Sequence, residues 1–201
     1  LAQNIRYPDL AYYPYVGKAW DAVAGRTDNK AGGTGEIYLP LIKPGTLQKV
    51  SMERDTTITF PPEVVAANPA LAGVSITVPA NSLFADDGAR GGYVGIAPVP
   101  PDRLPGPLPP GLEMPLVITV QTDGALNFDK PAPICFPNLP DPATGQPLPP
   151  GTKQALISFN HKKGIWEAVG DMTVSADGKF VCTDPGSGIL QPGWHGWRRR
   201  P

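Results

Sequence analysis

Three consecutive stretches decide the fold: GVSITVPANSLFADDG (73–88), GGYVGIAPVPPDRLPGPLPPG (91–111) and MPLVITVQTDGALNFDKPAPICFPN (114–138). Short runs with apolar residues at alternate positions sit between turns built of Pro, Gly, Asp and Asn. Period-two alternation turns one face of each strand to a core and the other to water. Proline cannot donate to a ladder, so this many prolines imply strand starts, edges and stiff connections. The pattern predicts an all-β domain, an antiparallel β-sandwich with Pro/Gly-rich loops. It does not suit a fold built around a Gly-rich phosphate loop or a helix-borne site.

Working outward, more strands follow from the same reading: EIYLPLI (36–42), QKVSM (48–52), TTITF (56–60), VSITV (74–78), YVGIAPV (93–99), MPLVITVQ (114–121) and PAPICFP (131–137). PPEVVAANPALAG (61–73) is a Pro-bounded connection with room for one helical turn, and DPATGQPLPPG (141–151) is a loop. Two hairpins come next. ALISFN and IWEAVG flank the turn HKKG, and MTV and KFVCT flank SADG. GSGIL (186–190) is a last short strand. The core expected from the alternation comprises Ile76, Val78, Val94, Ile96, Val117, Ile118, Val120, Ile134, Ile157, Phe159, Trp166 and Val169. Val117 and Ile118 are adjacent and cannot both face one core, so at least one of them is expected to lie outside it. No window of a dozen residues has helical spacing.

The domain organisation expected is an extended arm or tail of a preceding module over 1–35, the β-sandwich over 36–190, and a C-terminal linker over 191–201. The arm, containing IRYPDLAYYPYVGKAWDAVAGRTDNKAGG (5–33), is rich in aromatic residues but poor in alternation. Tyr7, Tyr12, Tyr13, Tyr15 and Trp20 are expected to pack on a neighbouring domain or subunit, since alone they would expose much apolar surface. Trp194 and Trp197, beside Arg198 to Arg200, are placed in the same interaction class. The chain starts at Leu1 without a basic-then-apolar leader, and is read as an excised piece of a longer protein.

Composition narrows the function classes. Of 201 residues, 27 are Pro and 23 Gly, yet 41% are hydrophobic, enough to form a core with many turns. Only 17% are charged and the net charge is −1, so no global field favours nucleic acid. No apolar run is long enough to cross a bilayer as a helix. Cys135 and Cys182 are the two cysteines, and His161 and His195 the two histidines. Their spacing does not favour zinc. The cysteines are either two buried free thiols or, as the one pair available, a disulfide.

Several constellations each admit a functional and a structural reading. Asp86-Asp87-Gly88 offers a calcium corner, but the same residues suit a turn. Glu167, Asp171, Asp177 and Asp184 offer paired carboxylates, with no apolar pocket evident to raise one of them. Ser158, His161 and Asp171 can be drawn as a triad, without the elbow that usually surrounds such a serine. Trp166 is expected in the core, although a hairpin Trp can stack on sugar. No catalytic, cofactor or metal site is assigned.

The span 73–170 resembles a ZU5-type β-sandwich: ITVPANSL, then GGYVGIAPV, then ITVQTDGALNFDKPAPICFPN, and a hairpin ending in WEAVG (166–170). The wider pattern resembles the region upstream of the YD repeats in bacterial Rhs/YD-repeat, teneurin-like proteins. It runs through AGRTDN…IYLPLI (24–42), VSITVPANSL (74–83), PVPPDRLP (98–105) and SADG…TDPGSGILQPGWHG (175–196). The resemblance implies a non-catalytic plug or spacer in a large exported or cell-surface protein, partnered by neighbouring domains. An adhesion module that binds glycan is the alternative. Some ZU5-type domains self-cleave at His-Phe-Ser; here the order is scrambled to Ser158-Phe159-Asn160-His161, which disfavours autoproteolysis.

Overall fold

The structure is a computed structural model that describes residues 24–25, 40–43, 45–124, 126–141 and 144–199. Among them run twelve strands: β1 (Gln48–Lys49), β2 (Thr56–Thr59), β3 (Ser75–Val78), β4 (Leu83–Ala85), β5 (Tyr93–Pro98), β6 (Val117–Thr122), β7 (Leu126–Phe128), β8 (Ile134–Pro137), β9 (Lys153–Asn160), β10 (Ile165–Val174), β11 (Phe180–Thr183) and β12 (Gly193–Arg199). A short helix, α1 (Pro62–Ala67), fills the connection after β2. Pro62 starts it, where a missing N–H is harmless, and Pro69 follows its end. Tyr7, Tyr12, Tyr13, Tyr15 and Trp20, and most of the expected strand 36–42, lie outside the described residues.

The fold is all-β, as the alternation predicts, but barrel-like rather than a plain sandwich. Ten strands form one antiparallel sheet in the order β1-β5-β6-β12-β9-β10-β11-β8-β3-β2. Its two end strands, β1 and β2, are neighbours in sequence and meet again in space. Gln48 Nε2 donates to the Thr59 carbonyl at 2.8 Å, and the Ser51 N–H donates to Thr56 Oγ1 at 2.8 Å. Side chains therefore bridge a seam where the ladder stops. A twisted sheet of this width curls, and near-closure protects its edges. β4 and β7 form a separate antiparallel pair, adding Leu83 and Phe128 to the interior.

Two apolar clusters lie on opposite sides of the central strands. The inner one includes Ile58, Ile76, Ile118, Val120, Phe136, Leu156, Met172 and Trp197. The outer one joins Leu112, Val117, Ala155, Ile157, Phe159, Trp166 and Trp194, with Val99, Leu104, Leu108 and Met114 packed against it. Val117 and Ile118 thus both find a core by facing different ones. All six positions of β6 are buried for this reason. The cover of the outer cluster is the proline-rich segment 99–116, whose stiffness lowers the entropy lost on ordering it. Trp166 Nε1 donates to the Gly106 carbonyl at 3.3 Å. A Cβ at Gly106 would lie 3.1 Å from the Phe159 ring, so a side chain there would push the cover outward. Phe159 meets Trp166 and Trp194 edge to face, with centroids 5.4 and 5.9 Å apart.

Two expectations are corrected here. Within the expected linker 191–201, Gly193–Arg199 is instead a central strand: β12 is paired antiparallel with β6 on one side and β9 on the other. Trp194 and Trp197 are accordingly not contact residues, being 4% and 1% exposed, one in each apolar cluster. Of the expected core, Val169 alone turns outward, at 43% exposure. A bulge in β10 between Ala168 and Gly170 shifts the register there and breaks the alternation.

Cys135 on β8 and Cys182 on β11 are direct cross-strand partners and form a disulfide. It links two strands 47 residues apart in sequence, and in the chain-entropy account such a loop corresponds to about 4 kcal/mol. We predict that Cys135→Ala/Cys182→Ala loses stability of about that size in urea denaturation, and that the unreduced, denatured chain yields no alkylatable thiol. Two alkylatable thiols without reductant would exclude the bond. We predict also that Trp166→Ala costs about 3–5 kcal/mol, as large buried rings do, whereas Val169→Ala changes stability by no more than about 0.5 kcal/mol. Equal, small effects at both positions would place Trp166 outside the core.

Candidate functional site

The site with most chemistry lies in one row across three strands. Antiparallel register sets His195 of β12 opposite Ser158 of β9, and Ser158 opposite Glu167 of β10. Ile157 and Phe159 belong to the outer cluster, so strand alternation turns Ser158 to the other face. Trp194 and Trp197, three apart, sit in opposite clusters, and His195 points to the same side as Trp197. Ser158 Oγ and His195 Nδ1 are 2.6 Å apart. Glu167 Oε1 accepts from Asn160 Nδ2 at 2.6 Å, and Oε2 accepts from Lys163 Nζ at 2.9 Å. Ser158, Asn160, Glu167 and His195 line a pocket of about 230 Å³ together with Phe159, Val169 and the 188–192 segment.

Burial governs the electrostatics. His195 is 3% exposed. Its desolvation pushes the imidazole pKa down to about 3, against a smaller opposing effect of the Gln191 backbone, and the neighbouring His161 adds a little to the lowering. Nε2 makes no hydrogen bond of normal geometry. The ring is therefore neutral at physiological pH, with one nitrogen able to accept from the Ser158 hydroxyl. Glu167 is held below the usual carboxylate range, first by Asn160 and then by Lys163. A serine hydroxyl against a neutral imidazole pairs a nucleophile with a base. The carboxylate of the row stands beyond Ser158 and not on Nε2, so the pair is not a Ser-His-acid triad.

The remaining candidate residues are dispersed. His161, drawn with Ser158 in the sequence, instead lies over Trp194, with ring centroids 5.2 Å apart. A Cβ at Gly193 would come within 2.5 Å of His161 Nε2, so a glycine there lets the ring approach the backbone. Asp171, past the β10 bulge, faces the outer side and lines a groove of about 540 Å³ with Trp166 and Arg198. Asp184 is lowered by Lys153, which donates to Oδ2 at 2.8 Å, and by the Thr173 hydroxyl. Asp177 accepts from Ser175 Oγ at 2.6 Å and from the Lys179 N–H at 3.1 Å. These carboxylates do not pair with one another. Asp87 Oδ1 accepts from the Ala89 N–H at 2.9 Å, which makes 86–88 a turn. Among the described residues no group of three or more His, Cys, Asp or Glu side chains is arranged to hold a metal. The cysteines are bonded to each other and are not ligands.

His195 is the residue that sequence reasoning missed. The available signal was the alternation Trp194-His195-Gly196-Trp197, obscured by the basic run that follows it. Comparisons with protein-family models, with curated proteins and with solved structures return no match for this chain.

The buried histidine makes stability depend on pH. Unfolded, His195 takes up its proton near pH 6.5; folded, it resists until about pH 3. Between those values the unfolded state binds the extra proton, so stability falls as pH falls, with a slope approaching about 1.4 kcal/mol per unit. The lowered carboxylates act only below about their unfolded values, near 4.5 and 3.8. The window from pH 6.5 to 5 therefore isolates the histidine. Urea midpoints across that window should decline in the native chain and flatten in His195→Gln. A native profile that is flat from pH 6.5 to 5 would contradict the buried, neutral assignment.

Proposed function

We propose that this chain is a structural module, a plug or spacer within a larger exported or cell-surface protein, in contact with neighbouring domains. The observation that carries the reading is that the module is filled and covered by its own residues. The barrel interior is occupied by one apolar cluster, and the outer face of β6, β9, β10 and β12 is closed by the segment 99–116. Such a body is rigid and suits a role as a spacer. The disulfide supports an oxidising compartment, where such bonds persist. The larger assembly rests on the resemblance of the strand-and-turn motifs to ZU5-type and YD-repeat proteins. The adhesion alternative draws on Trp166, Trp194 and the aromatic arm, and of these Trp166 and Trp194 are buried.

The reading makes residues 1–35 the contact to the neighbouring module. Deleting them should leave the far-UV circular dichroism and thermal midpoint of the barrel near those of the full chain. Association with the flanking portion of the parent protein, followed by sedimentation of a mixture, should be lost. If the deletion changes neither stability nor association, the spacer reading loses its support.

A further inference from the structure

We propose that Ser158 is a reactive serine, which takes up an acyl or phosphonyl group from a small activated ester entering the pocket beside His195. The inference goes beyond the module reading and does not depend on it. Three observations meet at the residue. Ser158 Oγ is 2.6 Å from His195 Nδ1, the distance at which a hydroxyl passes its proton to a base as it attacks. Ser158 is half-buried and lines the pocket, while His195 behind it is closed to water. The register that aligns β12, β9 and β10 holds both side chains on strands and not on loops, which keeps the pair in geometry.

The pocket selects the class of reagent. At about 230 Å³ it is smaller than the sites that enclose drug-sized ligands, roughly 300–1,000 Å³. Val169, Ile189 and Leu190 give it an apolar wall, and Ser158, Asn160 and His195 a polar end. A short alkyl or aryl group carrying one electrophilic centre fits that division. In the step itself Ser158 Oγ attacks the carbonyl carbon or phosphorus, forming the new O–C or O–P bond. The bond to the leaving group breaks and that group departs with the electron pair. The serine proton moves to His195 Nδ1 and from there to the departing group. The imidazolium formed transiently is favoured by the Gln191 backbone and opposed by burial and by His161. Because the imidazole is a weak base in its buried site, uptake is expected to be stoichiometric rather than a rapid turnover.

The test is a short-chain alkyl fluorophosphonate incubated with the full native chain at neutral pH, followed by intact mass and peptide mapping. The expected result is one phosphonyl group per chain, located on Ser158, with fluoride released. The same chain unfolded in urea should give no adduct, because the hydroxyl is reactive only against His195. Ser158→Ala should abolish labelling, and His195→Gln should slow it by about 10²-fold or more, the lower end of the range for a positioned base. No adduct on the native chain, an adduct on another hydroxyl, or equal labelling of native and unfolded chains would overturn the proposal. Should His195→Gln fail to fold, the comparison of native with unfolded wild-type chain decides by itself.

Discussion

The pairing of Gly193–Arg199 between β6 and β9 is the constraint on which the other features depend. It joins two blocks of the sheet, β1-β5-β6 and β9-β10-β11-β8-β3-β2, that share no other ladder among the described residues. Alternation along this one strand then sends Trp197 into the barrel and Trp194 to the outer cluster. Large aromatic side chains on both faces of a single strand bury apolar area on both sides, each ring being worth several kcal/mol. The same strand delivers His195 to Ser158. Fold closure, outer packing and the polar row therefore share one element.

That arrangement carries polar atoms into places where water does not reach. Both amide ends of Gln154, Trp197 Nε1 and His195 Nε2, on β9 and β12, and Ser82 Oγ, before β4, are buried without a hydrogen-bond partner of normal geometry. Each such group opposes folding by about 1–3 kcal/mol. Apolar residues of similar size would remove that penalty, so these positions are ones where sequence and stability diverge. Ser158 and His195 satisfy each other through one nitrogen and leave the second unpaired. A rigid apolar frame around a half-satisfied polar pair is the physical basis shared by the acid sensitivity expected of the barrel and the reactivity assigned to Ser158.

The spacer role and the reactive serine occupy different parts of the molecule. The first draws on the filled interior, the cross-strand disulfide and the proline-rich cover. The second draws on a small pocket at the β9–β10–β12 row, bounded by the 188–192 segment. A module that spans or plugs a larger body can carry such a pocket without weakening its core, because Ser158 and Glu167 of the row, and Asn160 beside it, are partly accessible while His195 is buried.

The sequence by itself determined the class of fold and most of the strands. Period-two alternation in 74–78, 93–99, 114–121 and 131–137, and the hairpins around HKKG and SADG, are local signals, and local signals are what a linear reading detects. The two cysteines restricted any intramolecular disulfide to Cys135–Cys182. Tertiary structure alone decided how the strands are ordered, since a sheet of sandwich-like segments and one that curls on itself share the same alternation. It decided that Gly193–Arg199 is a central strand: Gly196 and the arginines dilute the alternation, and only pairing with β6 and β9 makes it visible. It turned Val169 outward through a one-residue bulge that no composition signal marks. The partner of Ser158 was decided the same way. His161, three residues away, is the histidine a linear reading selects, whereas the 37-residue separation to His195 is closed only by strand register.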